Sequence, residues 1–301
     1  MGSTICLTVD DPRADELITH SFQFLTAFEK RFSANNEQSD LMSISHQAGI
    51  APVTVDAQLF ELIAIGVTHS LEDDSFLNIA IGPLVQTWRI GFADAHVPNT
   101  EEIQQALKLT DPKQITLDKE HHTVYLTKRG MKIDLGALAK GYATDLVANY
   151  LRQHHVQSAL INLGGNIVTI GYNQHTQRLW QLGIQDPTKP RGNHIALLNS
   201  YNHSVVTSGV YERRLNDNGK HYHHIFDRTT GYPIETDVAS LTIVSEKSID
   251  GEIWTTRLFG HPIPYILATV EQLPRVEAII IDTNNKLYYT SGITNQLVTL
   301  N

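Results

Sequence analysis

The stretch DLGALAKGYATD, Asp134 to Asp145, constrains this chain more than any other. It reads as the end of a strand, a tight glycine turn and the start of a helix. The helix opens on Ala139-Lys140-Gly141, and a carboxylate, Asp134, sits just ahead of it. Glycine inside a helix costs about 1 kcal/mol relative to alanine. Gly141 is therefore either a neutral accident or a place where something lies close against the backbone. A helix start offers unpaired N–H groups and the positive end of a dipole, which suit phosphate. Lys140 would add a point charge, and Asp134 could accept hydrogen bonds from a ribose or a base. The plainer alternative is a glycine ending a strand beside a solvated lysine.

The segments around this stretch mix both periodicities. STICLTV reads as a first strand, rich in β-branched residues. Helical spacing follows, with Leu17, Phe22, Leu25 and Phe28 on one stripe, and again with Leu59, Leu62, Ile63 and Gly66. FLNIAIGPLVQTWRIGF is an apolar run broken at Gly82-Pro83. NTEEIQQALKL is a short helix with Thr100 as its N-cap. ITLDKEHHTVYLTKRGMKIDLG reads as successive short strands, and the helix from Ala139 runs to about His154. SALINLGGNIVTIG, RLWQLGIQD, HIALLN, SVVTSG, HYHHIFD and SLTIVS read as further strands. DGEIWTTRLFG is a short helix, and VEAIIIDTNNKLYYTSG a hairpin turning at Asn284-Asn285. No repeat, low-complexity tract or linker divides the chain. The fold class expected is α+β, in one domain over residues 1–301 with room for two lobes.

A net charge of −9 argues against broad nucleic-acid or anionic-membrane binding, both of which need a basic surface. The single cysteine, Cys6, excludes an intrachain disulfide. No run approaches the roughly 20 apolar residues of a membrane span, and the opening MGSTICLTVDD has no signal-peptide character. The cytoplasm is the compartment expected. An exported form whose leader had been removed would carry the same sequence.

Four more motifs carry chemistry, each weak when taken singly. In NLGGN, Gly164 and Gly165 let a backbone approach a ligand closely. TSGVYERR places a hydroxyl-glycine turn at Ser208-Gly209. In HYHHIFDRTTGYP, a strand would put Tyr222, His224 and Phe226 on one face, with His224 beside a polar turn, a good place for acid–base work. The crowded histidines also suggest zinc, although zinc draws three or four ligands at set spacings. In SIDGEIWTTRLFG, Glu252 and Thr256 are i and i+4 on one helix face. With a backbone carbonyl they would suit magnesium, which takes oxygen ligands and leaves positions for substrate phosphates. A capped helix with an exposed acid is the plain alternative.

Taken together and in this order, the motifs resemble the ApbE family of flavin transferases, across nearly the whole chain. MGST resembles the family's opening Met-Gly-Thr, and RFSANNEQSDLMSIS its Phe-Ser segment. NIAIGPLVQTWRIGF is similar to its Gly-Pro-Leu-Val…Trp segment. DLGALAKGYATD, LGGN, TSGVYER, HIFDRTTGYP and the EIWTT region complete the set. The resemblance implies an ApbE-like mixed sheet-and-helix fold, related to the T-fold, with the FAD site between any two lobes. It implies FAD contacts from Met1, Asn78, Asp134, Lys140, Gly141, Gly164, Gly165, Ser208 and Ile225. It also implies magnesium ligation by the Ala137 carbonyl, Glu252 and Thr256, and a general base in His224, assisted by Lys140.

The chain departs from the pattern as well. Glu252 replaces the usual aspartate, which makes Asp250 a rival ligand. Ser45 and Asn78 stand where Asn and Asp are common, and Arg228 replaces a common proline, a change of little expected consequence. The implied activity is magnesium-dependent transfer of FMN from FAD, a substrate here, to a threonine or serine hydroxyl of a target flavoprotein. A phosphoester would form and AMP would leave. The Ser45 and Asn78 departures keep an FAD pyrophosphatase as the alternative, and a non-catalytic FAD-binding protein as a third reading.

Overall fold

Buried and half-exposed residues alternate from Ala159 to Leu163, the signature of a strand with one face on a core. The chain then reverses at Gly164-Gly165, with φ of 63° and 102°. Two successive positive φ values make the tight hairpin turn that glycine favours. The paired glycines thus turn a hairpin rather than interrupt a strand.

The computed structural model describes residues 4–212, 214–217 and 219–300. In chain order its elements begin β1 (Ile5–Val9), α1 (Ala14–Phe32), α2 (Asp40–His46), β2 (Val53–Thr54), α3 (Ala57–Ser70), α4 (Gly82–Trp88) and α5 (Thr100–Leu107). There follow β3 (Ile115–Asp118), β4 (Thr123–Leu126), α6 (Ala139–Gln153), β5 (Ala159–Leu163), β6 (Asn166–Ile170), β7 (Trp180–Gln185), β8 (His194–Ser200) and β9 (Ser204–Gly209). The chain ends with β10 (Arg214–Asp217), β11 (Lys220–His223), β12 (Val238–Ser245), α7 (Ser248–Leu258), α8 (Ile263–Val270), β13 (Glu277–Asp282), β14 (Leu287–Tyr289) and β15 (Leu297–Thr299).

A seven-stranded sheet in the order β1-β5-β6-β9-β12-β13-β14 is antiparallel throughout. All eight residues of β12 are buried, because both faces of the sheet are covered. On one face, Leu241 and Ile243 of β12 and Ala278 and Ile280 of β13 pack with Phe259 and Ile266 from the helical layer. Val244, Ile279 and Ile281 turn the other way, onto Leu182, Ile184, Ala196 and Leu198 of the small sheet β15-β8-β7. Helices α1, α3 and α6 share a further core with β5, β6 and the β2-β4-β3 sheet. Among the described residues no helix is long and apolar enough to cross a membrane.

Several local expectations change. Phe22 is exposed, and Phe32 takes its place on the buried stripe of α1. Gly82-Pro83 opens α4 rather than breaking a run, since proline is tolerated in a first helical turn. Asn99, not Thr100, caps α5, in a capping box with Glu102. The segment MKID joins no strand, so the turn before α6 follows irregular chain. The strand expected over HYHHIFD ends at His223, and Phe226 makes only an isolated bridge with Pro233.

Candidate active site

The Ala-Lys-Gly opening of α6 is explained by what crosses it. A Cβ on Gly141 would lie 2.6 Å from the Ser248 carbonyl oxygen and 2.7 Å from Glu252 Cγ. Helices α6 and α7 touch there, and only hydrogen fits between them. One residue earlier, Lys140 Nζ donates to Glu252 Oε1 at 2.9 Å and to Asn166 Oδ1 at 2.6 Å. The Asn166 amide donates in turn to the same Glu252 oxygen at 3.0 Å and to Ser248 Oγ at 3.3 Å. Glu252 is 4% exposed and Asn166 1%, so this cluster is held largely out of water. Burying a carboxylate is costly unless it is paired and hydrogen-bonded, and here both conditions hold.

Sequence reasoning passed over Asn166 and Ser248. The signal for Asn166 was its place at the end of LGGN, directly after the hairpin turn. Gly165 N–H donates to Asn162 Oδ1, and Gly164 N–H to the Thr4 carbonyl. This packing sets the turn beside the first described residues. Met1 lies outside the described residues.

Ahead of α6, Asp134 accepts the Gly136 N–H at 2.7 Å, which shapes the turn, and its own N–H bonds the Ile79 carbonyl. Asn78 is buried, and both ends of its amide are used: Oδ1 accepts from Ala80 N–H, and Nδ2 donates to the Thr110 carbonyl. The Ser45 hydroxyl on α2 is buried with no hydrogen-bond partner among the described residues. Ser208 is half-buried in β9, opposite Leu241 of β12.

The His224 segment approaches α7 at its other end. His223 Nδ1 accepts the Ile225 N–H at 3.2 Å, so Nε2 donates to the Ile234 carbonyl at 2.8 Å. Burial holds the His223 imidazole below its usual pKa, which keeps it neutral. With both nitrogens engaged, His223 is a structural histidine. His224 is half-buried at the bend that follows. Ile225 packs in the cluster that holds Phe259, Trp254 and Val210. The turn after it is fixed by Asp227, which accepts the Thr229 and Thr230 N–H groups, and by fully buried Trp88, whose indole donates to the Gly231 carbonyl. Arg228 is not inconsequential. It donates to the carbonyls of Ser70 and Asp73, tying this turn to the loop after α3.

Glu252 and Thr256 lie one turn apart on α7. Glu252 Oε1 carries the bonds from Lys140 and Asn166, while among the described residues no hydrogen bond falls on Oε2, on the Thr256 hydroxyl or on the Ala137 carbonyl. Asp250, one face round, is half-buried, and burial raises its carboxyl above the usual range. Carboxylate, hydroxyl and carbonyl oxygens fit a hard cation such as magnesium. No three His, Cys, Asp or Glu side chains converge as a metal cage among the described residues. Magnesium commonly takes few carboxylates and completes its shell with water and phosphate, so the donor set fits it.

Residues 1–280 match the ApbE family. The chain belongs to the ApbE family. It is 40% identical over 291 residues to an FAD:protein FMN transferase of Klebsiella pneumoniae (strain 342), covering 97% of this chain and 90% of that protein. A second enzyme of that name, from Treponema pallidum (strain Nichols), is 35% identical over 92% of this chain and 80% of its own length. The fold matches the crystal structure of the ApbE protein from Thermotoga maritima with a TM-score of 0.86, at 26% identity, over 97% of this chain and 94% of that one. Flavin transferase ApbE from Vibrio cholerae shares the fold at a TM-score of 0.84 and 23% identity, over 98% and 96% of the two chains. The α+β architecture is that of ApbE proteins. Within this ApbE chain, the lysine of one motif and the glutamate of another, far apart in sequence, meet in one buried cluster.

Proposed function

We propose that the chain is an FAD:protein FMN transferase that moves FMN from FAD to a threonine or serine hydroxyl of a target flavoprotein. The observation that carries this reading is the buried contact of Lys140 and Asn166 with Glu252, where a helix start, a cation and unused oxygen donors adjoin. The names of its relatives support the same reaction. FAD would lie against the start of α6, with Asp134, Asn78, Lys140, Gly141, the Gly164-Gly165 turn, Ser208, Ile225 and Met1 about it, between two lobes of one domain.

Glu252, Thr256 and the Ala137 carbonyl would hold magnesium through oxygen, with Asp250 as the rival carboxylate. When bound, the ion supplies charge neutralisation across the diphosphate. Lys140 orients Glu252 through Oε1, which would leave Oε2 for the ion. It also adds positive charge where the transition state gathers negative charge. His224 takes the proton of the acceptor hydroxyl. The acceptor oxygen bonds to the phosphorus on the FMN side, the bond from that phosphorus to the AMP oxygen breaks, and AMP leaves. Atoms and charge balance without an oxidant or reductant. Such chemistry rests on positioning and electrostatics, which are what these residues offer.

The test is AMP release from FAD and magnesium, with and without a domain carrying an Asp-Gly-x-Thr acceptor motif. Release that depends on the acceptor and is lost in Thr256→Val supports transfer. Equal release without acceptor would replace transfer by hydrolysis, the pyrophosphatase reading.

A further inference from the structure

Helix α7 begins without a cap of its own. Its N-cap residue is Lys247, whose side chain makes no capping bond. An uncapped start leaves backbone N–H groups unpaired, and here Ser248 and Ile249 are buried. Their partner comes from another helix. Asp145 of α6 accepts the Ser248 N–H through Oδ1 at 2.7 Å and the Ile249 N–H through Oδ2 at 2.9 Å. A carboxylate taking two N–H groups at a helix start is the arrangement that capping and the helix dipole both favour.

Three residues of one helix face therefore address α7. Lys140 holds Glu252, Gly141 lets the Ser248 carbonyl approach, and Asp145, one turn on, grips the first two amides. The spacing Lys140, Gly141, Thr144, Asp145 is one helical stripe. Thr144 lies in that stripe with its hydroxyl turned back to the Lys140 carbonyl, so it adds no contact to α7. Glu252 follows the gripped amides by one turn, so sliding or tilting of α7 would carry its carboxylate away from Lys140. Displacements near 1 Å in such a site can lower a rate about a hundredfold.

We propose that Asp145 is a positioning residue: it caps α7 from α6 and so fixes Glu252 against Lys140. The consequence for catalysis rests on the transferase reading; the consequence for the Glu252–Lys140 contact does not. Burial and the neighbouring Asp250 act against a charged Asp145, while the two amides and Arg152 favour it. A carboxylate kept in such surroundings is consistent with a role in placement.

The experiment compares wild type with Asp145→Asn and Asp145→Glu in the full chain. Hydrogen exchange is read over 247–256, with 277–282 as the control for an intact fold, together with acylation of Lys140 by an amine reagent. The magnesium concentration giving half-maximal transfer is read beside kcat. In Asp145→Asn, exchange over 247–256 is expected to rise about tenfold, with 277–282 unchanged and Lys140 acylated several times faster. Half-saturating magnesium should rise about tenfold, with a smaller fall in kcat. Asp145→Glu, which keeps the charge on a longer arm, should fall between, and it carries the test if Asp145→Asn does not fold. Wild-type exchange over 247–256 would overturn the proposal. So would faster exchange with unchanged Lys140 labelling, since Asp145 would then be a cap and nothing more. Wild type without transfer would remove the transferase reading and leave exchange and labelling to decide this one.

Discussion

The two ends of α7 are held by different kinds of contact. Its N-terminal turn is gripped by buried, fully specified groups: Asp145 on two amides, Asn166 and Lys140 on Glu252, and the bare backbone of Gly141. Its C-terminal turn buries Leu258 and Phe259 in the core, but its polar contacts run to irregular chain and part-exposed acids. Arg257 reaches Asp74 at 3.3 Å and His69 Nδ1 at 3.3 Å, and stacks its guanidinium over Trp254 at 4.6 Å. The same acidic loop takes Arg228 from the turn after His224. Polar groups in a dry cluster have few alternative partners and hold one geometry, whereas pairs open to water contribute less and yield more. Under the proposed reaction, the first end would seat phosphate and metal and the second would carry the base.

That contrast is broken most strongly at the proposed base. His224→Ala is expected to lower transfer by about a hundredfold or more while FAD binding stays near wild type, read by initial rates beside a fluorescence titration. Near-normal transfer would remove His224 from the role.

The next effect is on stability with pH. Burial first, and the nearby Asp250 as well, push Asp145 up to about 6, against the pull of its two amides. A carboxyl whose folded pKa lies above its unfolded value contributes most at pH below the unfolded value, near 3.9. That contribution is lost as pH rises through about 6. Denaturation of wild type should therefore lose up to about 3 kcal/mol relative to Asp145→Asn between pH 4 and pH 7. A difference that does not vary over that window would contradict the burial argument.

Gly141→Ala sharpens the comparison by reversing the propensity rule. Alanine should favour the helix by about 1 kcal/mol, but its Cβ meets the Ser248 carbonyl oxygen at 2.6 Å. Net destabilisation of about 2 kcal/mol is expected from chemical denaturation, and a stabilised variant would mean that α6 and α7 are not in contact there. Smallest is Arg228→Ala, which removes two bonds to loop carbonyls at the looser end. About 1 kcal/mol is expected from denaturation, and a loss equal to that of Gly141→Ala would erase the distinction between the two ends.

How much of this was legible in the sequence follows the range of the forces. The β5–β6 hairpin was not legible, because alternation alone reads SALINLGGNIVTIG as one strand and Gly-Gly suits a bulge as well as a turn. Helix α6 was readable, starting at Ala139 as expected and ending at Gln153, one residue short of His154. Thr100 was taken for a cap where Asn99 acts, since both residue types cap and only the Glu102 reciprocity separates them. The end of β11 at His223 was hidden because the side chain of His223 closes onto Ile234, a contact no periodicity records. Helix α8, which opens on Pro262 and carries Pro264 in its first turn, was passed over although its prolines signal a start. The site motifs were visible singly, but the meeting of Lys140, Asn166, Glu252 and Asp145 comes from the packing of α6 on α7 and belongs to tertiary structure.

The most direct measurement is the intact mass of an acceptor domain after incubation with this protein, FAD and magnesium. The account predicts a gain of one FMN through a phosphoester, absent with chelator and absent with Glu252→Ala. An unmodified acceptor beside free FMN and AMP, or beside intact FAD, would contradict it.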